Sequence, residues 1–221
     1  CFVKKNDSLI KKGLKFTKIK SKIIKIDTNK DHRLLRHQKN EYFLTEANKE
    51  NLLFVLAIIK KFKLNKQLLN NTIQKFKGLK YRQQIIYKNR NLTIINDSKS
   101  TSFSSSVGIL KTNPNIYWLL GGIYKKGDKL EIPKKYYHNI KAFVYGKKRN
   151  FFNNQLKGKI KVENFHNLKD AFKKVLTQTK KQKFVKKTIL FSPSAASFDS
   201  FSNFEDRGQY FNKLIKKYFN G

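Results

Sequence analysis

The stretch TILFSPSAASFDSFSNFEDRGQYF, Thr188 to Phe211, contains no lysine, although 50 of the chain's 221 residues are Lys or Arg. It opens on β-branched and aromatic residues, passes through small residues from Ser194 to Ser197, and then takes on helical character. Strand, tight polar loop and helix form the building unit of an α/β sheet. Small residues at such a loop let the backbone approach a ligand closely, whereas lysines would fill the space and compete for anions. Phe198, Phe201 and Phe204 recur at every third position, a spacing that would pack the following helical turn against the domain.

The same unit recurs upstream. Strand candidates are QQIIY, LTIIN, IYWLL, KAFVYG, KIKVEN and TILFS. Most are followed by a segment of helical period, such as Leu168, Ala171, Phe172, Val175 and Leu176. Buried apolar runs alternating with amphipathic helices predict a doubly wound, mostly parallel sheet covered on both faces. The first two candidates, joined by KNRN, read as a hairpin. The final helix is expected to bury Phe211, Leu214, Ile215 and Tyr218.

Residues 1–45 read as short strand-like pieces such as SKIIKID between lysine-rich turns. From Asn48 the period becomes helical, with Leu52, Val55, Leu56, Ile59 and Phe62 on one face. A shorter helix is expected over Lys66 to Phe76 with Leu69, Ile73 and Phe76 inward, ended near Gly78.

Composition limits the function classes. Hydrophobic residues make up 39% and aromatics 14%, enough for a folded core despite 29% charged residues. A formal charge of +36 would ordinarily point to nucleic acid. Only six of the 50 basic residues are Arg, however, and the lysines are spread along the whole chain. Arg is the side chain that clamps phosphates and reads guanine edges, so the charge fits a solvated surface in a chain rich in Lys, Asn, Ile and Phe. No nucleic-acid partner is therefore expected, a basic nucleic-acid-binding protein being the alternative.

The single Cys, at position 1, excludes an internal disulfide framework and fits a reducing, cytoplasmic compartment. The longest apolar run, Leu52 to Ile59, is far short of the ~20 residues that span a bilayer, and no membrane partner is expected. His32, His37, His138 and His166 show no metal-ligand spacing. The chain lacks Met even at its start, which reads as part of a longer protein.

In open α/β sheets ligands gather at the carboxyl ends of the strands. NDSKST after LTII, GGIYKKGD after IYWLL and SPSAAS after TILF lie at that end, and are expected to form one cleft that receives anions. Upstream, Asn48 and Asn51 stand three apart at a helix start, where both amides can meet a purine edge or Asn48 can cap the helix. Asp97 and Lys99 alternate along a strand end, so both would point to one side, toward ribose and phosphate or as a helix cap beside a solvated lysine.

Taken in order, EANKEN, FKGLKYR, INDSKST, LLGGIYKKGD and LFSPSAASFDSFSNFEDRG resemble the Mur ligase family, from about Thr45 onward. Within it they resemble the branch that adds D-glutamate to UDP-N-acetylmuramoyl-L-alanine, coupling ATP cleavage to amide-bond formation in peptidoglycan assembly. The resemblance implies a Rossmann-like C-terminal domain over 77–221, preceded in 1–76 by the tail of the ATP-binding central domain. It places Asn48, Asn51, Arg82, Asp97 and Lys99 at ATP. It places Thr101, Lys125 and Ser197 at D-glutamate, with the backbone near Phe198 and Phe204 enclosing the side chain; Lys126 competes with Lys125.

The family commonly has His where Ala47 and Tyr81 stand, and Glu at the place of Gln84. The chain holds no glycine-rich phosphate loop, so Mg2+ and the phosphate cradle would belong to residues outside it, and the chain alone is expected to be inactive. A monomer is expected. The remaining alternative is a stand-alone nucleotide or amino-acid binding module.

Overall fold

The computed structural model describes residues 1–18, 20–28, 35, 39–44 and 46–219. The chain divides into two units, Cys1–Lys77 and Gly78–Gly221. Thr45, His32 and His37 lie outside the described residues.

In the first unit, β1 (Phe2–Lys4) pairs parallel with β2 (Ile24–Ile26). Between them runs α1 (Ser8–Phe16), whose first turn is capped by Asp7 accepting from the Leu9 and Ile10 N–H groups. This corrects the expectation of strand-like pieces alone: Asp7 satisfies the free N–H groups of a helix start, and that local bond settles the segment.

A 3₁₀ turn (Glu41–Leu44) leads into α2 (Glu46–Lys61), which is followed by α3 (Lys66–Lys75). α2 meets β2 and the 3₁₀ turn. It buries Leu52 and Leu53, whereas Val55 is 43% and Phe62 66% exposed. The expected α2 face is therefore corrected. The small two-stranded sheet covers only one stripe of the helix, and Phe62 lies past its end, just before Lys63 with φ 53°. Phe43 and Phe76 stack at 5.6 Å, and Asn40 Nδ2 donates to the carbonyls of Ile73 and Phe76, fixing the end of α3.

The second unit is built on six strands: β3 (Gln84–Lys88), β4 (Leu92–Asn96), β5 (Ile116–Gly121), β6 (Ile140–Tyr145), β7 (Lys161–Phe165) and β8 (Lys187–Phe191). Their order in space is β3-β4-β8-β5-β6-β7. β3 and β4 form the expected antiparallel hairpin, and every other pairing is parallel. The last strand thus inserts between β4 and β5, which creates a switch point in the strand order.

Alternation along the strands decides which face each helix covers. Trp118 and Leu120 of β5 pack with α4 (Phe103–Thr112) and α5 (Arg149–Leu156). Tyr117 and Leu119 point the other way, toward α6 (Leu168–Lys180) and α7 (Phe204–Phe219). There Phe172, Phe191 and Phe211 are fully buried, with Phe191 and Phe211 stacked at 4.3 Å. Burying each such ring contributes roughly 1.5–3 kcal/mol.

Two expectations about the C-terminal region are corrected. Tyr218 stays 37% exposed, at the rim beside Phe172 rather than within the core. The triplet Phe198, Phe201 and Phe204 does not form a packed face, and Phe198 is 71% exposed. Residues 198–203 run as turns and bends, so a spacing of three there carries no helical periodicity.

Gly208 on α7 is required by packing. A Cβ there would stand 2.3–2.9 Å from the Tyr81 ring. Gly208→Ala is expected to cost about 1–3 kcal/mol by overpacking. Chemical denaturation of the two single variants and of Tyr81→Ala/Gly208→Ala checks this: the double variant should lose clearly less than the sum, because the clash disappears with the ring.

Candidate functional site

The carboxyl ends of β4, β8 and β5 are neighbours, so the loops 96–101, 192–197 and 121–128 stand side by side. Backbone bonds join them. The Asp97 N–H donates to Phe191 O at 2.7 Å, and Gly121 N–H to Pro193 O at 3.1 Å. Ile123 and Ala196 exchange two bonds as an antiparallel bridge. A Cβ on Gly122 would lie 2.4 Å from Ala196 O, so glycine is what lets these two loops touch. The small residues at 194–197 therefore first serve contact between protein segments, with Ser194, Ala195 and Ser197 buried.

Beneath the loops lies a buried network of hydroxyl groups. Ser106 Oγ, on the first turns of α4, stands 2.8 Å from Ser100 Oγ, 2.6 Å from Ser192 Oγ and 2.7 Å from Ser194 Oγ. Ser192 Oγ donates onward to Asp97 Oδ2 at 2.8 Å, and its carbonyl accepts from Trp118 Nε1. The hydroxyl hydrogens can rotate, so one network satisfies residues from two loops and a helix.

Asp97 is 4% exposed. Its other oxygen accepts from the Gln83 N–H at 3.0 Å. Burial pushes its pKa up to about 7, against the lowering effects of the Ser192 and Gln83 hydrogen bonds and of Arg82 and Arg207. The expected alternation of Asp97 and Lys99 is corrected. β4 ends at Asn96, and the Ser100 N–H closes a turn onto Asp97 O. Asp97 consequently points inward, while the Lys99 ammonium lies 3.6 Å over the Phe204 ring.

Arg207 went unnoticed in the sequence and is central in the structure. It projects from the first turn of α7 and is 1% exposed. Its Nε donates to Ser98 Oγ, and its Nη2 donates to the carbonyls of Ser98 at 2.7 Å and Ala195 at 2.9 Å. A signal was present, since Arg207 is one of only six arginines. A planar fork bonding several acceptors is a task Lys cannot perform.

The remaining expected residues lie at the same sheet edge or in the first unit. Ser197 is buried beside the Ala196 bridge, Phe198 is exposed, and Phe204 sits half-buried under Lys99. Thr101 and Arg82 are exposed. Lys125 and Lys126 are exposed in a turn closed by the Asp128 N–H onto Lys125 O. Asp128 Oδ2 then accepts from the Phe103 N–H at 2.8 Å, which ties the lysine loop to the start of α4 beside Thr101. Asn48 and Asn51 belong to the first unit. Asn48 is buried inside the first turn of α2 rather than at its cap, and its Nδ2 donates to Tyr42 O at 2.7 Å, whereas Asn51 is exposed.

Among the described residues no three His, Cys, Asp or Glu side chains cluster so as to hold a metal ion, and no helix is long and apolar enough to cross a membrane. What the edge offers is a set of exposed cations around a rigid, hydroxyl-lined floor.

Two measurements test this floor. The native state keeps the Asp97 proton from the ordinary carboxylate range, near 4, up to about 7, where the unfolded chain has already released it. Its contribution is therefore full below that window and lost as pH rises through it. Relative to Asp97→Asn, the parent's denaturation midpoint should fall between these limits and then level off. Arg207→Lys should cost about 2–4 kcal/mol, with faster amide exchange in the loops at 98 and 195 than elsewhere in the sheet.

No family model matches the chain. It is 34% identical over 171 residues to a protein of Wolbachia sp. subsp. Brugia malayi (strain TRS) named UDP-N-acetylmuramoylalanine--D-glutamate ligase, covering 77% of this chain and 34% of the relative. Relatives of the same name from Rickettsia prowazekii and Francisella philomiragia are 37% and 35% identical, over 77% of this chain and 38% and 41% of their own length. The chain thus spans between a third and about two fifths of the length of these relatives. Across three quarters of its residues the chain is similar to a part of these D-glutamate ligases.

Proposed function

We propose that the chain forms the part of a cytoplasmic, ATP-dependent ligase that receives D-glutamate for addition to UDP-N-acetylmuramoyl-L-alanine, in the peptidoglycan synthesis that supports cell shape and division. The observation that carries this reading is the joining of the loops after β4, β8 and β5 into one edge with exposed Lys125, Lys126, Thr101 and Arg82 around it. D-Glutamate brings two carboxylates and an amine that must stay uncharged to attack. In this reading Lys125 meets one carboxylate, and Thr101 and Ser197 offer hydroxyls with the backbone near Phe198 and Phe204.

The nucleotide side is proposed on Arg82, Lys99 and Asp97; Asn48 and Asn51 of the first unit are proposed, by themselves, as further nucleotide-contacting residues. Arg82 is exposed and suits a phosphate; Lys99 is held beside the same edge by the Phe204 ring. Asp97 is already engaged by Ser192 and Gln83, so its fit to a ribose hydroxyl rests on the lone pairs those bonds leave. ATP, with Mg2+ held by residues outside this chain, supplies the phosphoryl group that activates the muramoyl alanine carboxylate. The chain's own work is then to fix both carboxylates of D-glutamate and aim its amine, a matter of positioning. Residues 1–76 are proposed as the tail of the ATP-binding domain, 77–221 as the domain that delivers D-glutamate, and the protein as a monomer.

Titrating the isotope-labelled chain with D-glutamate, followed by amide NMR, tests the reading. Shifts should concentrate at Thr101, Lys125 and Ser197 and be much smaller with L-glutamate. Lys125→Ala should weaken binding by about tenfold or more, the loss of one charge-assisted bond. Unchanged affinity would remove Lys125 from the site and leave Lys126→Ala as the decisive comparison; no shifts in any of the three loops would refute the D-glutamate assignment.

A further inference from the structure

At the opposite edge of the same sheet, the turn between α6 and β8 holds Phe184 into solvent at 92% exposure, with Val185 at 45%. Its backbone is pinned from below. Asn91 Nδ2 donates to Lys183 O at 3.0 Å, Asn115 Nδ2 to Lys186 O at 2.8 Å, and the buried Lys187 ammonium to the carbonyls of Gln182 and Val185. The side chains that would let this turn collapse are thus committed, and the phenylalanine is presented rather than merely left out.

The surroundings are cationic beyond the average of the chain. Lys180, Lys181, Lys183 and Lys186 are exposed, and no Asp or Glu occurs from Ala171 to Phe198. Arg90 and Lys88 of the β3–β4 turn are exposed at the same edge, where the Lys187 N–H bonds Asn91 O. Next to the turn opens a cavity of about 330 Å3 lined by Lys141, Lys161, Lys181, Gln182 and a Tyr117 floor. Gln182 Oε1 accepts from the Tyr117 hydroxyl at 2.9 Å. The acid there, Glu163, is already met by Gln178 and by Lys174 at 3.8 Å.

We propose that this edge docks peripherally on an anionic phospholipid surface, with Phe184 entering the acyl boundary, the surrounding lysines meeting headgroup phosphates and the Lys141/Lys161/Lys181 cavity taking one headgroup. Charge complementarity selects an anionic partner, and the apolar tip selects a bilayer over a nucleic-acid backbone, against which an inserted Phe–Val pair gains little. Peripheral docking requires no spanning segment, so it departs from the expectation of no membrane partner without contradicting the sequence facts behind it. It is independent of the ligase reading, whose residues in this second unit lie at the other edge.

The test uses the 221-residue chain with vesicles of phosphatidylcholine alone or mixed in equal parts with phosphatidylglycerol. Because any strongly basic chain is attracted to anionic vesicles, the decisive variants hold charge constant or move it. Phe184→Ser should reduce affinity for the mixed vesicles about tenfold, and Lys183→Glu/Lys186→Glu should reduce it more than the equal charge change Lys147→Glu/Lys148→Glu at the carboxyl end of β6. Phe184→Trp should add emission, over that of the buried Trp118, that shifts to the blue on the mixed vesicles only. Equal binding by Phe184→Ser and the parent, equal effects of the two charge swaps, or an unmoved emission of the Phe184→Trp variant would each overturn the proposal. So would a single-stranded oligonucleotide that binds this edge more tightly than the vesicles do.

Discussion

A single buried guanidinium ties the loops at the carboxyl ends of β4 and β8 together. Arg207 reaches from the start of α7 to the carbonyls of Ser98 and Ala195, and so joins the loops after β4 and β8 to the last helix. Removing a charge of this kind from water costs several kcal/mol, which the bonds made by Nε and Nη2 offset while Nη1 stays buried without a hydrogen-bond partner among the described residues. The cost makes the geometry all-or-none: the loops either supply their carbonyls in place or the helix start does not seat. Gly208, one residue on, extends the same constraint by leaving room for the Tyr81 ring.

The serine network works beside this clamp in a different way. Ser106 gathers Ser100, Ser192 and Ser194, and Ser192 passes the bonding on to Asp97. Neutral hydroxyls adapt to either protonation state of a carboxyl, whereas a fixed cation would hold Asp97 ionised. The floor is therefore rigid in position and permissive in charge. Above it, exposed Lys125, Lys126 and Arg82 stay in solvent without the desolvation cost that Arg207 bears.

The two edges of the sheet contrast in chemistry. At the carboxyl edge the loops are bound to each other, and the cations stand around a polar floor. At the amino edge the turn at 181–186 is bound downward to Asn91, Asn115 and Lys187, which leaves its apolar tip outward. One scaffold with a buried parallel sheet thus presents separate chemistries at its ends, because strand ends are where backbone groups become available for loops.

By itself the sequence determined the α/β class, the β3–β4 hairpin and the alternation of the later strands with helices, since long apolar runs between amphipathic segments admit few other arrangements. It also located the three loops, because motifs such as NDSKST and SPSAAS interrupt the lysine-rich background. Tertiary structure alone decided that β8 inserts between β4 and β5, a long-range pairing that no local pattern encodes. It turned Asp97 inward, exposed Phe198 and left Val55 uncovered, since burial depends on what lies opposite a residue and not on its spacing. Arg207 stands between the two: its rarity was visible in the chain, but the carbonyls that give it a purpose come from residues 109 and 12 positions away.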